Sequence, residues 1–364
     1  MEYVQERIAT LHDFGDARPD APTDRAAVVV PMTEREYGAW ATERTLAELE
    51  AVDPARVLVP LRASPERAAD FREWLSGFDL TLDVVWCSGE RMESLLEARG
   101  LDGEAGKGRD VWLALGVAAA DPPYVVCHDA DVRSYEGADV ARLLAPVEWG
   151  FPFAKGYYAR IESDRLYGRL FRLLYVPLVR ALRARHDAPV LAYLDAFRYA
   201  LAGEFAATAD LVRNLRLERR FGLEVGTLGD AFEVAGFDGT AQVDLGRYAH
   251  DHRAVTGPAG LADMSEDVAA ALLRVVEDRG VVPDYDALPA AYREAATALV
   301  DGYEADARFN GLTFDASDER AQVDRYAEAV HPPGDDDRLP AWASIDLDPL
   351  EVLAAARADL DAAP

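Results

Sequence analysis

Two carboxylates separated by one residue, Asp129 and Asp131, directly follow the apolar segment 124–128. In extended backbone, side chains two positions apart point to the same side, so both carboxylates can reach one ion. Their hard oxygens suit Mg²⁺ or Mn²⁺ and leave positions for diphosphate oxygens and water. Because acidic residues are common in this chain, the pair alone is only a candidate metal site.

A glycine-flanked lysine, Gly106-Lys107-Gly108, precedes this segment and opens a predicted helix over residues 107–120. Glycine lets the backbone approach a ligand closely, and a lysine at a helix N-terminus favours an anion. The only lysines of the chain are Lys107 and Lys155, and both stand beside a glycine. No G-x-x-x-x-G-K-[ST] sequence is present, so this is not a P-loop. The pattern predicts an anion site, with an ordinary loop as the alternative.

Two glutamates, Glu204 and Glu224, occur in apolar, glycine-rich surroundings. An unpaired carboxylate in such surroundings is costly. We therefore expect both glutamates to have a functional role.

The charge of the chain is strongly acidic, with 38 basic and 66 acidic residues and a formal net charge of −28. Such a surface repels nucleic-acid phosphates and anionic membranes, which argues against partners of either kind. The acidic residues are spread along the chain, which favours a halophilic surface over an acidic interaction tail. The composition therefore predicts that the fold needs salt for stability, which melting in low salt tests.

Targeting features point to a cytoplasmic protein. No run of about eighteen apolar residues predicts a transmembrane helix, and the N-terminus lacks the order of a secretory signal. The cysteines Cys87 and Cys127 are too few for a disulfide framework and are predicted to be reduced thiols in the core.

Strands and helices alternate in the first half of the chain. Four short apolar runs predict buried parallel strands at residues 26–31, 56–60, 82–87 and 124–128. Helices are predicted at residues 34–52, 64–76, 91–99 and 107–120. This alternation predicts an α/β sheet with helices on both faces, in which ligands bind at the carboxyl ends of the strands.

The second half is predicted to be mainly helical. Helices are expected at residues 166–184, 191–207, from about 263 onward and 349–361, with a strand at 242–250 and a surface loop at 332–337. The predicted organisation is one domain over 1–262, with a donor half at about 26–135 and an acceptor half at about 150–262. An acidic helical region over 263–364 follows, and it could pack a homodimer.

Several motifs, in this order, make the chain similar to one known family. They are Gly106-Lys107-Gly108 with Trp112 and Leu115, Asp129-Ala130-Asp131, residues 153–160, Tyr167-Gly168-Arg169, residues 201–206, residues 222–226, and residues 242–245 with His250. Over roughly residues 26–275 the chain resembles the glucosyl-3-phosphoglycerate synthases and related mannosyl enzymes. The resemblance implies a GT-A fold, which is a Rossmann-like mixed sheet, and a retaining, metal-dependent (Mg²⁺ or Mn²⁺) reaction. Glucose or mannose would pass from UDP-glucose, GDP-glucose or GDP-mannose to 3-phosphoglycerate.

The resemblance assigns donor and metal roles to matching positions. The residues implied in donor binding are Pro31, Glu34, Lys107, Asp129 and Gly203. Asp131 and His250 would be metal ligands, with Asp129 reaching both the ribose and the ion. Between Pro31 and Glu34 the pair Met32-Thr33 departs from the usual Leu-Asn.

The resemblance also assigns residues to the reacting sugar and the acceptor. Leu201, Glu204 and Glu224 would lie at the reacting sugar. The implied acceptor-binding residues are Gly168, Arg169, His252, Arg253 and Lys155. Phe171 replaces a phosphate-binding threonine of some members, and His252 replaces an asparagine. Without the resemblance, Arg169 could belong to a solvated helix face that also carries Arg165, Arg172 and Arg180.

More than one mechanism and function stay open. A metal ion would stabilise charge developing on the diphosphate leaving group. Retention fits either a carboxylate nucleophile or a front-face reaction in which the leaving phosphate accepts the acceptor's proton. The expected product serves compatible-solute synthesis. The alternatives are glycerate, another phosphorylated acid or a lipid phosphate as acceptor, or a non-catalytic sugar-nucleotide-binding protein.

Overall fold

A mixed β-sheet is the centre of the fold in the computed structural model, which describes residues 5–250 and 258–364. Its strands are β1 (Ala9–Leu11), β2 (Ala26–Val29), β3 (Met32–Thr33), β4 (Arg56–Arg62), β5 (Leu82–Trp86), β6 (Tyr124–Cys127), β7 (Phe153–Glu162), β8 (Arg165–Leu166), β9 (Phe205–Thr208) and β10 (Thr240–Tyr248). The hydrogen-bonded order is β1-β10-β7-β9-β6-β2-β4-β3, with β5 beside β4 and β8 beside β7. Strand β9 runs antiparallel to both β6 and β7, whereas β6, β2, β4 and β5 form one parallel part of the sheet and β7, β10 and β1 form another.

Helices surround this sheet. They are α1 (Trp40–Val52), α2 (Pro65–Leu75), α3 (Glu90–Ala98), α4 (Lys107–Ala118), α5 (Ala138–Glu148), α6 (Val176–Arg183), α7 (Pro189–Leu194), α8 (Ala209–Arg213), α9 (Leu223–Val234), α10 (Pro258–Glu277), α11 (Leu288–Phe309), α12 (Ala316–Tyr326) and α13 (Pro349–Ala362). Short 3₁₀ helices lie at Thr23–Arg25, Glu34–Glu36, Ala327–Ala329 and Trp342–Ser344, and a π-helix spans Leu170–Tyr175.

The parallel half of the sheet agrees with the sequence prediction. The apolar runs form β2, β4, β5 and β6, and all four residues of β2 are buried. Helix α2 begins as its sequence indicates, with Ser64 before Pro65 at the first helical position, where a proline's missing N–H costs nothing. The predicted α/β architecture is confirmed.

Two predicted helices begin later than expected because glycines with positive φ interrupt them. In the predicted helix 34–52, a 3₁₀ turn is followed by Gly38 at a φ of 59°, and α1 starts only at Trp40. In the predicted helix 166–184, Gly168 has a φ of 75°, and the chain continues as the π-helix and then α6. A right-handed α-helix needs negative φ at every residue, so it cannot run through these glycines.

The predicted helix over 191–207 is wrong after Leu194. Helix α7 ends at Leu194, and residues Phe205–Thr208 form strand β9 instead. The segment Phe-Ala-Ala-Thr has no strong strand propensity of its own, but it pairs with β6 on one side and β7 on the other. Tertiary pairing therefore overrides the local preference. Strand β7 was also not predicted as an element, although its residues carry one of the motifs.

The residues after 263 pack against both parts of the sheet region. Helix α10 packs on α9, α11 on α6, and α13 on α3 and β5. Trp342 stacks on Trp112 with ring centroids 4.7 Å apart, and a Cβ at Gly116 would lie 1.9 Å from the Trp342 ring. The predicted loop over residues 332–337 is present. The division at residues 262 and 263 stays a prediction.

Two further expectations concern the whole chain. Within residues 5–250 and 258–364, no helix combines the length and apolar character that crossing a bilayer requires. Cys87 and Cys127 are buried free thiols, as predicted.

Candidate active site

The Asp-x-Asp pair lies at the carboxyl end of β6, close to His250. Ligand atoms of Asp129, Asp131 and His250 all lie within 4.8 Å of one another. The backbone brings them together, because Val132 forms an antiparallel bridge with His250 and the N–H of Arg133 donates to the carbonyl of Ala249 at 2.7 Å. Residues predicted separately from two parts of the sequence therefore meet in one cluster.

The chemistry of this cluster fits a divalent cation. Burial, and then the negative charge of Asp129, raise the pKa of Asp131 to about 7. A cation held between the two carboxylates would offset that repulsion. Two carboxylates and one imidazole are a ligand set that Mg²⁺ or Mn²⁺ can use, with further positions left for phosphate oxygens.

Lys107 links this cluster to a second glutamate. Its Nζ donates to Asp129 Oδ1 at 2.8 Å and to Glu224 Oε1 at 3.2 Å. Burial opposes the charge, but the carboxylates of Asp129 and Glu224 outweigh it and raise the pKa of Lys107 well above its ordinary value. The lysine is therefore a fixed cation between two carboxylates.

The glycines around Lys107 allow this placement. Helix α4 starts against the backbone of residues 218–219, where the N–H of Arg109 donates to the carbonyl of Arg219 at 2.9 Å. A Cβ at Gly108 would lie 1.7 Å from the carbonyl oxygen of Glu218. Only glycine allows this approach, so the Gly-Lys-Gly motif positions the lysine by close packing.

Gly203 and Glu204 lie directly before β9, on the other side of Asp129. Glu204 is fully buried, and burial followed by the charge of Asp129 raises its pKa to about 8. The carbonyl of Glu204 accepts from the N–H of Gly156 in β7 at 2.9 Å. Leu201, in the same segment, is half-buried. The antiparallel strand β9, missed from sequence, thus carries this segment into the cluster.

Lys155 is the second lysine and lies inside the fold. It sits in β7, opposite Phe205 of β9 and Gln242 of β10, and is 1% exposed. Burial lowers its pKa to about 8, partly offset by the charges of Glu224 and Glu204. Both lysines therefore lie near Glu224, although Lys155 is not close enough for an ion pair.

Pro31 and Glu34 lie at the same edge of the sheet as Asp129. Pro31 stands between β2 and β3, and a Glu34 carboxylate oxygen accepts from the N–H of Ser64 at 2.7 Å. Ser64 follows β4, so the carboxyl ends of two parallel strands meet here. No binding role was predicted for Ser64, which lies four residues after the predicted strand 56–60 and at the start of the predicted helix 64–76.

The arginines near the predicted acceptor residues do not form the single solvated helix face that was the alternative interpretation. Arg165 is in β8, Arg172 is buried, and Arg169 forms ion pairs with Asp318 and Glu319 of α12. Gly168 lies close to Tyr199, because a Cβ added at Gly168 would be 3.2 Å from the Tyr199 hydroxyl oxygen. His252 and Arg253 lie outside the described residues.

Phe171, which departs from the family pattern, is part of the protein core. It is buried, with its ring 4.9 Å from that of Tyr199. A phenyl ring cannot replace a threonine hydroxyl as a hydrogen-bond donor.

The pairing of Arg169 with α12 had no sequence signal, because about 150 residues separate the partners in an acid-rich chain.

The contact between Gly203 and Asp129 gives a specific prediction. A Cβ at Gly203 would lie 2.5 Å from Asp129 Oδ2, so Gly203→Ala must displace this carboxylate. We expect kcat/KM to fall by about 10²-fold, because a displacement of about 1 Å at reacting groups has effects of this size. Steady-state assays measure kcat/KM, and a thermal melt checks that the variant is folded. The control is Gly302→Ala in α11, where a Cβ has open space and should leave activity unchanged. Full activity of Gly203→Ala would show that Asp129 can move freely.

The mixed sheet and the cluster at the end of β6 define a metal-dependent glycosyltransferase that uses a nucleotide sugar. No model of a protein family matches the sequence. Two relatives are glucosyl-3-phosphoglycerate synthases. The one from Methanococcoides burtonii is 34% identical, over 94% of this chain and 93% of its own. The one from Persephonella marina is 34% identical, over 83% and 79%. The chain belongs to the glucosyl-3-phosphoglycerate synthase family.

A solved structure supports the same conclusion about the fold. The glucosyl-3-phosphoglycerate synthase of Mycobacterium tuberculosis was crystallised with Mn²⁺, UDP-glucose and phosphoglyceric acid. It is 26% identical, with a TM-score of 0.57, and the match covers 76% of this chain and 89% of that one. The predicted family and GT-A fold are confirmed.

Proposed function

We propose that this chain transfers glucose from UDP-glucose to 3-phosphoglycerate with retention of configuration. The observation that carries the proposal is the cluster of Asp129, Asp131 and His250, joined to Glu224 through Lys107. The cluster supports binding of a diphosphate with a divalent cation, and the related enzyme from M. tuberculosis binds UDP-glucose and phosphoglyceric acid together.

Donor binding is assigned to the edge of the sheet where several strands end. Pro31 and Glu34 flank the nucleoside, and Lys107 neutralises negative charge on the diphosphate. Asp131, His250 and Asp129 would hold Mg²⁺ or Mn²⁺, and such an ion would supply positive charge that stabilises the departing diphosphate. Because Lys107 is already held by two carboxylates, it needs little reorganisation when the donor enters.

The reacting sugar is assigned to the segment before β9 and to Glu224. Gly203 lets the Asp129 carboxylate lie directly against the backbone of this segment, which keeps residues 201–204 next to the donor-binding carboxylate. Burial and the charge of Asp129 raise the pKa of Glu204, which disfavours the ionised form that a nucleophile requires. A protonated carboxyl group is a poor nucleophile. This favours the front-face reaction, in which the leaving phosphate accepts the proton of the acceptor hydroxyl.

Acceptor binding is assigned to Gly168, Arg169 and Lys155, with His252 and Arg253. Arginine binds phosphate and carboxylate through paired N–H groups, so Arg169 suits an acceptor carrying both. Phe171 offers no hydroxyl where some family members have a phosphate-binding threonine. Because of this difference, glycerate or another phosphorylated acid is the second candidate acceptor.

The setting of the enzyme follows from its charge and chain organisation. We assign it to the cytoplasm of a halophile, on the net charge of −28, and expect its product to be a compatible solute. The region 263–364 forms a helical extension to the catalytic domain over 1–262, and we propose that it supports a homodimer.

The test is nucleotide release in high salt with Mg²⁺ or Mn²⁺, using UDP-glucose, GDP-glucose and GDP-mannose as donors. Each donor is combined with 3-phosphoglycerate, glycerate or no acceptor. We expect release from UDP-glucose that depends on 3-phosphoglycerate, with the anomeric configuration of the product determined by NMR. Release that depends only on glycerate would move the proposal to the other acceptor. Donor binding without release in any combination would contradict transferase activity.

A further inference from the structure

Two carboxylates of α12 hold the guanidinium of Arg169. Its Nε donates to Glu319 Oε1 at 2.8 Å, and its Nη2 donates to Asp318. The other oxygen of Glu319 accepts from Arg172 Nη1 at 2.9 Å. The C-terminal region thereby supplies both anionic partners of the arginine assigned to the acceptor.

The two carboxylates differ in their surroundings. The Glu319 side chain is 5% exposed and bridges two arginines, whereas that of Asp318 is 48% exposed. Arg172 is further held by the carbonyl of Tyr167 and by the ring of Tyr303, 4.7 Å from its guanidinium carbon. A buried, doubly bonded carboxylate is fixed in place, while an exposed ion pair contributes little and exchanges readily.

Aromatic contacts link the backbone next to this arginine to the candidate metal cluster. Gly168 packs on Tyr199, whose ring centroid lies 4.8 Å from that of Tyr158. The Tyr158 ring in turn lies 6.0 Å from the imidazole of His250. Two aromatic side chains therefore lie between Gly168, the residue before Arg169, and the candidate metal ligand His250.

We propose that α12 sets the affinity of the acceptor site, with Glu319 as a positioning residue for Arg169 and Asp318 as an anion that the acceptor displaces. This inference rests on the proposed function, because it needs an acceptor with a phosphate or carboxylate group. Glu319 orients the guanidinium through Nε, so that its Nη groups face the acceptor site. Asp318 occupies one of these groups until an oxygen of the acceptor replaces it, since guanidinium groups bind such oxyanions in pairs.

Exchange at Arg169 is tested by Asp318→Asn in the full-length chain. Removing the competing charge should lower the KM for 3-phosphoglycerate by about two- to five-fold, the size expected for one exposed ion pair. The KM for UDP-glucose and kcat should not change. The matched control is Asp324→Asn on the same helix, which removes an equal charge from a side chain that is 74% exposed and paired with Arg293. Assays at two salt concentrations should show a smaller effect at high salt.

The positioning role is tested by Glu319→Gln. Here the KM for 3-phosphoglycerate should rise by about ten-fold or more, the order of one charge-assisted hydrogen bond, while the KM for UDP-glucose stays the same. If this variant melts early because a buried charge has lost its partner, the exposed Asp318→Asn substitution still decides the question.

The outcomes separate this inference from the proposed function. Equal acceptor KM values in Asp318→Asn and Asp324→Asn would overturn it, as would equal effects of Glu319→Gln on the donor and acceptor KM values. Absence of 3-phosphoglycerate-dependent turnover in the unaltered chain would instead overturn the proposed function and this inference together.

Discussion

Asp131→Ala should lower kcat for glucose transfer by about 10³-fold, which corresponds to about 4 kcal/mol of lost transition-state stabilisation. Asp131 contributes one of three ligand atoms that lie within 4.8 Å of each other. Burial and the charge of Asp129 raise the pKa of Asp131 to about 7, so its ionised form is disfavoured unless a cation compensates it. Alanine removes a metal ligand and a repulsive charge at once, so the fold should survive while metal affinity falls.

The measurement is kcat at a series of Mg²⁺ and Mn²⁺ concentrations, after removal of metal with EDTA. The unaltered chain should lose activity with EDTA and regain it with either ion. Asp131→Ala should keep its low kcat even at metal concentrations that saturate the unaltered chain. The control is Asp238→Ala, an exposed carboxylate at the turn before β10. Retention of more than a tenth of kcat in Asp131→Ala would contradict its role as a ligand.

Local sequence signals were sufficient for the parallel half of the fold and for the donor edge of the site. The residues of β6 are apolar and include two adjacent valines, and the acidic pair begins two residues after the strand ends. Sheets of this kind place such residues at one edge, so the sequence alone was enough to locate Asp129 and Asp131 there. The lysine between glycines was predicted on the same basis.

Contacts between distant parts of the chain were beyond the same reasoning. His250 reaches Asp131 through a bridge to Val132 that joins positions more than one hundred residues apart. Only the family resemblance connected them. Strand β9 shows the same limit, since its alanines favour a helix locally and only pairing with β6 and β7 makes them a strand.

The ion pairs of Arg169 show why charge is hard to interpret in this chain. With 66 acidic residues, neither Asp318 nor Glu319 is distinguishable by type or spacing from a solvating surface residue. Burial distinguishes only Glu319, whose side chain is 5% exposed and bonded to two arginines. That burial depends on how α12 packs against the π-helix, which no local pattern contains.

Lys107→Ala should both destabilise the protein and reduce its activity. The lysine is the cation between Asp129 and Glu224, whose side chains are only 22% and 12% exposed. Removing one partner of a mostly buried ion pair costs about 3 kcal/mol, since it leaves charge without compensation. Without metal or donor present, the free energy of unfolding should fall by about this amount. The KM for UDP-glucose should rise by about ten-fold or more, because the diphosphate loses a charged partner.

Two variants separate these effects. Lys107→Arg keeps the positive charge but not the compact ammonium, so stability should be largely preserved while kcat/KM still falls. Arg320→Ala removes a cation from the exposed ion pair with Asp301 and should change the free energy of unfolding by less than about 1 kcal/mol. Denaturant titration in high salt measures stability, and steady-state kinetics measures donor use. If Lys107→Ala were as stable as the Arg320→Ala control and kept the KM of the unaltered chain for UDP-glucose, Lys107 would have neither role. The donor's diphosphate would then have to be held by other groups.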